Sequence, residues 1–267
     1  NGFYIIMSFG IADLSITPMR RERSERSEMV SQVLFGEVYE VLEIDEKWLY
    51  IRLLHDDSRG WVEKKVFREV DETYVENYRA SDQLIMGEVF NLVVKQGDWE
   101  NRLIVAGSVL PFYDAYAKKM FLGDEEYVVL GALREVGIES LRELLIQYAL
   151  MYYNAPYLWG GRTPKGVDCS GFVQIVYRLA GISIPRDVEK QVNGGQILSF
   201  LEEAQPGDLA FFGDASGCIT HVGILWEQGR IIHASGRVRI DKIDHHGIFN
   251  EEMKRYTHTL KILKQMI

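Results

Sequence analysis

Between Asn154 and Gly171 the chain reads N-A-P-Y-L-W-G-G-R-T-P-K-G-V-D-C-S-G, and few backbone paths accommodate it. Pro156, Gly160, Gly161, Pro164 and Gly166 keep the segment before residue 168 out of regular structure. Beyond it, Phe172, Val173, Val176 and Ala180 recur at the spacing of one helical face. The chain must therefore pass from loop to helix at Asp168-Cys169-Ser170-Gly171. That places Cys169 in a first helical turn, close to unpaired backbone N–H groups and the positive end of the helix dipole. A thiolate is favoured there over a thiol. A purely structural cysteine gains nothing from the position, whereas a nucleophile does.

A thiol nucleophile needs a base. Thr220-His221-Val222-Gly223-Ile224-Leu225-Trp226 is followed by the turn Glu227-Gln228-Gly229-Arg230 and by Ile231-Ile232-His233-Ala234-Ser235. Two apolar runs joined by a glycine turn predict a β-hairpin. His221 opens the first strand and His233 closes the second, so an antiparallel pairing brings both imidazoles to one end of the sheet. Cys169, His221 and His233 then supply the nucleophile, base and orienting group that a cysteine hydrolase requires.

The rest of the chain reads in blocks. Residues 1–70 are expected to form a small β-barrel. Its strands come from Ile11–Ile16, Val33–Ile44, Trp48–Leu53 and Trp61-Val62, separated by polar turns. Residues 71–132 repeat the theme less clearly. Met86-Gly87-Glu88-Val89-Phe90 echoes Phe35-Gly36-Glu37-Val38-Tyr39, and Gly97-Asp98-Trp99 echoes Lys47-Trp48. From residue 133 to 267 an α+β domain is expected. Leu141, Leu144, Leu145, Tyr148, Ala149 and Tyr152 share a helical face, and Ser140 with Glu143 gives a capping-box start. Pro206-Gly207-Asp208 turns into the strand Leu209–Phe212, and Arg237–Ile240 and Thr257–Ile262 offer further strands.

With 267 residues the chain can hold more than one domain. A net charge of −9 opposes nucleic-acid binding and gives no support for an anionic membrane surface. No run reaches the length of a membrane-spanning helix. Two cysteines, Cys169 and Cys218, are too few for a disulfide framework, and Cys218 reads as a small loop residue. Phe3-Tyr4-Ile5-Ile6-Met7 lacks the basic flank and long apolar core of an intact signal peptide. A cytoplasmic location is therefore expected, or a periplasmic or cell-envelope one if a signal has been removed ahead of Asn1. No metal or other cofactor is expected. His245-His246 lacks zinc-ligand spacing, His55 and His258 stand alone in the sequence, and no phosphate-binding loop motif occurs.

Taken together and in register, Y-L-W-G-G, D-C-S-G-F-V, P-R-D, G-D-L-A-F-F, T-H-V-G-I and I-I-H-A-S resemble the NlpC/P60 family of papain-like cell-wall cysteine peptidases. The likeness covers roughly the last half of the chain. L-F-G-E, W-L-Y-I and G-W-V resemble a bacterial SH3-like (SH3b) domain, so two SH3b domains are expected at 1–70 and 71–132, ahead of a papain-like catalytic domain at 133–267. The whole resembles the subgroup of γ-D-glutamyl-L-diamino acid endopeptidases, also called dipeptidyl-peptidase VI.

The resemblance implies a murein peptide as substrate, cleaved after an N-terminal L-Ala-γ-D-Glu. Cys169 would attack, His221 act as base and His233 orient it. The hydroxyl of Tyr157 would join the Cys169 N–H in stabilising the oxyanion. Asp187 in Pro185-Arg186-Asp187 would hold the free amine of L-alanine, or cap the next helix. Asp168 and Ser170 match substrate-contacting positions, or serve as caps. Arg186 would pair with the substrate carboxylate or with a neighbouring acid. Glu37 and Tyr74 of the first SH3b domain would add an acid and a hydroxyl at the amine. Two other readings remain open: a peptidoglycan-binding protein with a silent papain-like domain, and a papain-like amidase or acyltransferase. The sequence leaves the oligomeric state open.

Overall fold

The computed structural model describes residues 8–98, 100–133 and 140–267. The Phe3–Met7 run and Trp99 lie outside them. The chain divides into two compact units, Asn1–Glu135 and Val136–Ile267.

The first unit holds seven short strands, β1 (Ser8–Ile11), β2 (Ile16–Arg20), β3 (Met29–Leu34), β4 (Val38–Ile44), β5 (Trp48–Leu53), β6 (Arg59–Glu63) and β7 (Glu69–Val70). They form one antiparallel sheet in the order β3-β2-β6-β5-β4-β1-β7. Helix α1 (Glu72–Ala80) follows. Asp71 caps it by accepting the Tyr74 N–H. Then come β8 (Leu84–Ile85), β9 (Phe90–Lys95), β10 (Asn101–Val105), β11 (Val109–Leu110), β12 (Lys119–Leu122) and β13 (Glu125–Val129). Four of these make a second sheet, β10-β9-β13-β12, and β11 pairs with β8.

The expected boundary at residue 70 does not divide two cores. Phe9, Ile11, Phe35, Val38 and Val70 pack in one buried cluster with Met86, Val93, Ile104, Leu110 and Tyr127. The two β regions therefore bury apolar surface against each other and behave as one compact unit, rather than as two independent domains.

The second unit opens with α2 (Leu141–Met151). Ser140 and Glu143 form the expected capping box, and Leu145, Ile146, Tyr148 and Ala149 are buried. A short hairpin, β14 (Arg162–Thr163) with β15 (Gly166–Val167), leads into α3 (Cys169–Leu179). Every residue of α3 except Arg178 is buried. Its apolar side chains each contribute about 1.5–3 kcal/mol of burial, which holds the helix in place regardless of local propensity. One approach is especially close. A Cβ on Gly171 would lie 2.2 Å from the Gly161 carbonyl oxygen, so only glycine lets the loop and the helix meet there.

After α4 (Val188–Gln191) come β16 (Gln196–Leu198), β17 (Leu209–Gly213), β18 (Ile219–Leu225), β19 (Arg230–Ser235), β20 (Arg237–Asp244), β21 (Gly247–Asn250) and β22 (Arg255–Gln265). The order is β16-β22-β17-β18-β19-β20-β21, and β22 also pairs with β21. The sheet thus closes on itself, with β16 as an extra edge strand. Helix α3 packs against β18 and β19. Among the described residues, no helix is long and apolar enough to cross a membrane.

Candidate active site

Cys169 is the first residue of α3, and Asp168 is its N-cap. The thiol is buried against β18, where the Val222 N–H reaches the sulfur, as does the Ser170 N–H. The helix start was expected to favour a thiolate. Burial instead pushes the thiol up to about 11, helped by the Asp168 charge and opposed by those two N–H groups and by Arg186. Desolvation outweighs the dipole because almost no water reaches the sulfur.

The hairpin forms as expected. The Arg230 N–H bonds to Glu227 O across the turn, and Ile231 pairs with Leu225. His233 stands opposite Gly223, and this bare position lets its ring lean along the sheet towards His221. His221 Nε2 and His233 Nδ1 are 2.9 Å apart. An added Cβ at residue 223 would sit 2.9 Å from His233 Cβ and 2.8 Å from Ile231 Cδ1. Gly223→Ala is therefore expected to cost about 1–3 kcal/mol by overpacking and to part the two rings. Chemical denaturation measures the first effect, and imidazole nitrogen NMR shifts report the second.

The sequence reading missed Asp241. It lies on β20, opposite Ile231, and its Oδ2 is 3.0 Å from His233 Nε2. Arg239 donates to both Asp241 oxygens, at 2.7 and 3.0 Å. Burial pushes the Asp241 carboxyl up, but the hydrogen bonds from His233 and Arg239 outweigh it and hold the group ionised. An ionised carboxylate only accepts, so His233 carries its proton on Nε2. Its Nδ1 then accepts from His221 Nε2–H, which leaves His221 Nδ1 as the lone pair. One carboxylate thus sets both tautomers and makes His221 a base. Burial, then the neighbouring imidazoles, holds His221 well below the usual histidine range, and burial also lowers His233. A small signal pointed to Asp241: Ser235-Gly236-Arg237 is a one-glycine turn that fixes the register of β20.

His258 does not stand alone. On β22, its ring stacks on His221 with centroids 4.2 Å apart and lies 5.6 Å from His233. His55 also has neighbours, Glu37 at 3.6 Å and Asp56 at 3.3 Å.

Tyr157 lies within the electrostatic reach of Cys169 and Asp168. Burial first, then their charges, push its hydroxyl up to about 12, so it remains a donor at neutral pH. Asp187 is exposed at the start of α4, makes no capping bond and pairs with Lys190 at 3.1 Å. An exposed pair of this kind is weak, so its carboxylate can exchange Lys190 for another cation.

For three residues the capping and acid-pairing alternatives are the ones found. Asp168 Oδ1 accepts from Gly171 N–H at 2.7 Å and Arg186 Nη1 at 2.9 Å, and its Oδ2 accepts from Gly160 N–H at 2.8 Å and Arg186 Nη2 at 2.6 Å. Ser170 Oγ donates to Asp168 and accepts from Arg186. Asp168, Ser170 and Arg186 are all buried and bond to one another, while Arg186 Nε has no hydrogen-bond partner. They form a brace beneath the thiol, and Gln191 extends it by donating to Ser170 O and Pro185 O. Glu37 and Tyr74 likewise have roles inside the first unit. Glu37 is buried and accepts the Leu34 N–H at 2.8 Å, and the Tyr74 hydroxyl donates to Phe121 O at 3.0 Å. So engaged, the carboxylate and the hydroxyl serve the β unit's own scaffold.

The NlpC/P60 family model matches residues 154–258, spanning the thiol and all three clustered histidines. These residues are an NlpC/P60 domain. The bacterial dipeptidyl-peptidase SH3 domain model matches residues 19–66, so the first unit contains an SH3-like domain ahead of the NlpC/P60 domain. The chain is 29% identical over 217 residues to a γ-D-glutamyl-L-lysine dipeptidyl-peptidase of Bacillus subtilis, covering 76% of this chain and 71% of that one. It is 26% identical over 250 residues to dipeptidyl-peptidase 6 of Lysinibacillus sphaericus, covering 85% and 89%. In fold it is similar to the crystal structure of an NlpC/P60 family protein from Bacillus cereus, with a TM-score of 0.80, 17% identity, and 97% and 99% of the two chains covered. The relatives of this NlpC/P60 domain are named as peptidases and endopeptidases.

Proposed function

We propose that this protein is a cysteine endopeptidase that cleaves the bond between γ-D-glutamate and a diamino acid in murein peptides bearing a free N-terminal L-alanine. The observation that carries the reading is the hydrogen-bonded chain Asp241–His233–His221, whose tautomers leave the lone pair on His221 Nδ1, next in sequence to Val222, whose N–H reaches the buried thiol. The names of the relatives from B. subtilis and L. sphaericus support the choice of bond.

In this mechanism His221 Nδ1 takes the thiol proton as Cys169 Sγ attacks the γ-carbonyl carbon. The oxyanion is met by the Cys169 N–H and the Tyr157 hydroxyl. His221 then protonates the leaving amine of the diamino acid, and a thioester remains. Water, deprotonated by the same nitrogen, hydrolyses the thioester and returns the thiol. Asp187 balances the ammonium of L-alanine. A stem whose alanine is acylated by muramic acid lacks that charge and is rejected, which suits the enzyme to freed peptides in wall turnover and recycling.

The test is a pair of substrates, L-Ala-γ-D-Glu-meso-diaminopimelate and its N-acetylated twin, with release of the diamino acid followed. Cleavage of only the free-amine peptide is expected. Equal cleavage of both would remove the amine requirement, and cleavage of neither would favour a binding protein or a transferase.

A further inference from the structure

We propose that His221, His233 and His258 also form a binding site for one transition-metal ion of the Zn2+ class, and that loading it silences the thiol. Each ring offers a nitrogen, and the three nitrogens lie within 4.8 Å of one another. His221 Nε2 and His233 Nδ1 are already 2.9 Å apart. Tetrahedral zinc holds imidazole nitrogens at about 2.0–2.1 Å, so its ligand atoms stand about 3.3 Å from each other. The His221 and His258 rings now stack with planes 25° apart, so His258 must turn out of the stack for both lone pairs to meet one ion, and a fourth position remains for water.

The groups around the trio suit a metal. His233 Nε2–H donates to Asp241, and Arg239 holds that carboxylate with two hydrogen bonds. A carboxylate behind a histidine behind the ion is the arrangement that orients and strengthens metal-binding imidazoles. The Thr257 hydroxyl bonds to Ile248 O, so its oxygen accepts His258 Nδ1–H, and His258 Nε2 keeps its lone pair. All three rings are buried or half-buried, and burial favours their neutral, ligating form. An all-imidazole donor set selects zinc, copper, cobalt or nickel over magnesium and calcium.

The silencing follows from the tautomers and needs no net release of protons. An ion on His221 Nε2 displaces the proton there, and the neutral ring then carries it on Nδ1. That nitrogen becomes a donor and can no longer deprotonate the thiol. The binding half of the proposal stands on geometry, whereas the silencing half rests on the cysteine-peptidase reading.

The two halves are tested separately. Full-length Cys169→Ala protein, which lacks the thiol, is titrated with Co2+. One equivalent is expected to bind, with the visible absorption of a four-coordinate site, and Zn2+ should displace it. Adding His258→Gln should weaken binding at least about tenfold, and adding Asp241→Asn about 10–100-fold. His258→Phe, which keeps the ring stack, repeats the comparison should Gln disturb the fold. No binding to the Cys169→Ala protein, or equal affinity without His258, would overturn the site. In the parent protein, one equivalent of Zn2+ should stop peptide turnover and a chelator restore it. Undiminished turnover by the loaded protein would overturn the silencing. Absence of turnover in metal-free protein would count against the peptidase reading and leave the Co2+ titration to decide the site.

Discussion

Replacing Cys169 with alanine is expected to lower hydrolysis of L-Ala-γ-D-Glu-meso-diaminopimelate by about 10^4-fold or more. The melting temperature should move by no more than a few degrees. The thiol is small and buried, and among the described contacts it takes N–H groups from Ser170 on its own helix and from Val222 on β18. Its loss removes the only atom in the relay able to form a thioester and disturbs little packing. The measurement is kcat/KM beside a thermal melt. Turnover surviving in a folded Cys169→Ala protein would mean that the acyl intermediate does not form at this residue.

The second large effect concerns stability. Arg186→Ala is expected to cost about 3–5 kcal/mol, because it leaves the Asp168 carboxylate buried without its guanidinium partner. That is a large part of the total stability of a domain, which is about 5–15 kcal/mol. Both Arg186 terminal nitrogens bond to Asp168, one to each oxygen. The same carboxylate caps α3 and holds Gly160, so the loss spreads to the helix start and its thiol. Arg186→Lys should recover part of the loss but not the two-pronged fit. Urea unfolding of each variant gives the numbers. A substrate-binding arginine would show the opposite pattern, a raised KM with unchanged stability.

The difference between what was readable in the sequence and what was not follows from distance along the chain. The Ser140 cap, the α3 helix and the His221/His233 hairpin depend on neighbours a few residues away, and their signals are local. For Asp168, Ser170 and Arg186 the sequence left substrate contact and internal bonding both open, because residue type alone does not tell a carboxylate facing substrate from one engaged within the protein. Arg186 meets Asp168 across eighteen positions. His258 was hidden more thoroughly. Its strand has register shifts on both sides, opposite Phe211/Phe212 and opposite Ile248/Phe249, so no alternating pattern marks the face it occupies. Closure of the sheet then carries it to His221 from thirty-seven residues further along the chain. The two β regions at 1–70 and 71–132 were drawn as separate because each has its own turns and strands. Their shared core is a product of tertiary packing that periodicity does not encode.

The closed sheet also sets a timetable. Strand β22 joins β17 to β21 and follows every other strand of the ring in chain order. On a ribosome, the hairpin bearing His221 and His233 emerges while the ring still has an open seam, and the sheet cannot seal until β22 has been translated. Chains fold from the N-terminal side as they are made, so the β unit can settle early, whereas the thiol and its imidazoles receive their final frame last. A nascent chain therefore carries Cys169 for some ninety residues of synthesis before the ring that shapes its site is complete, and the candidate site is withheld until the barrel is whole.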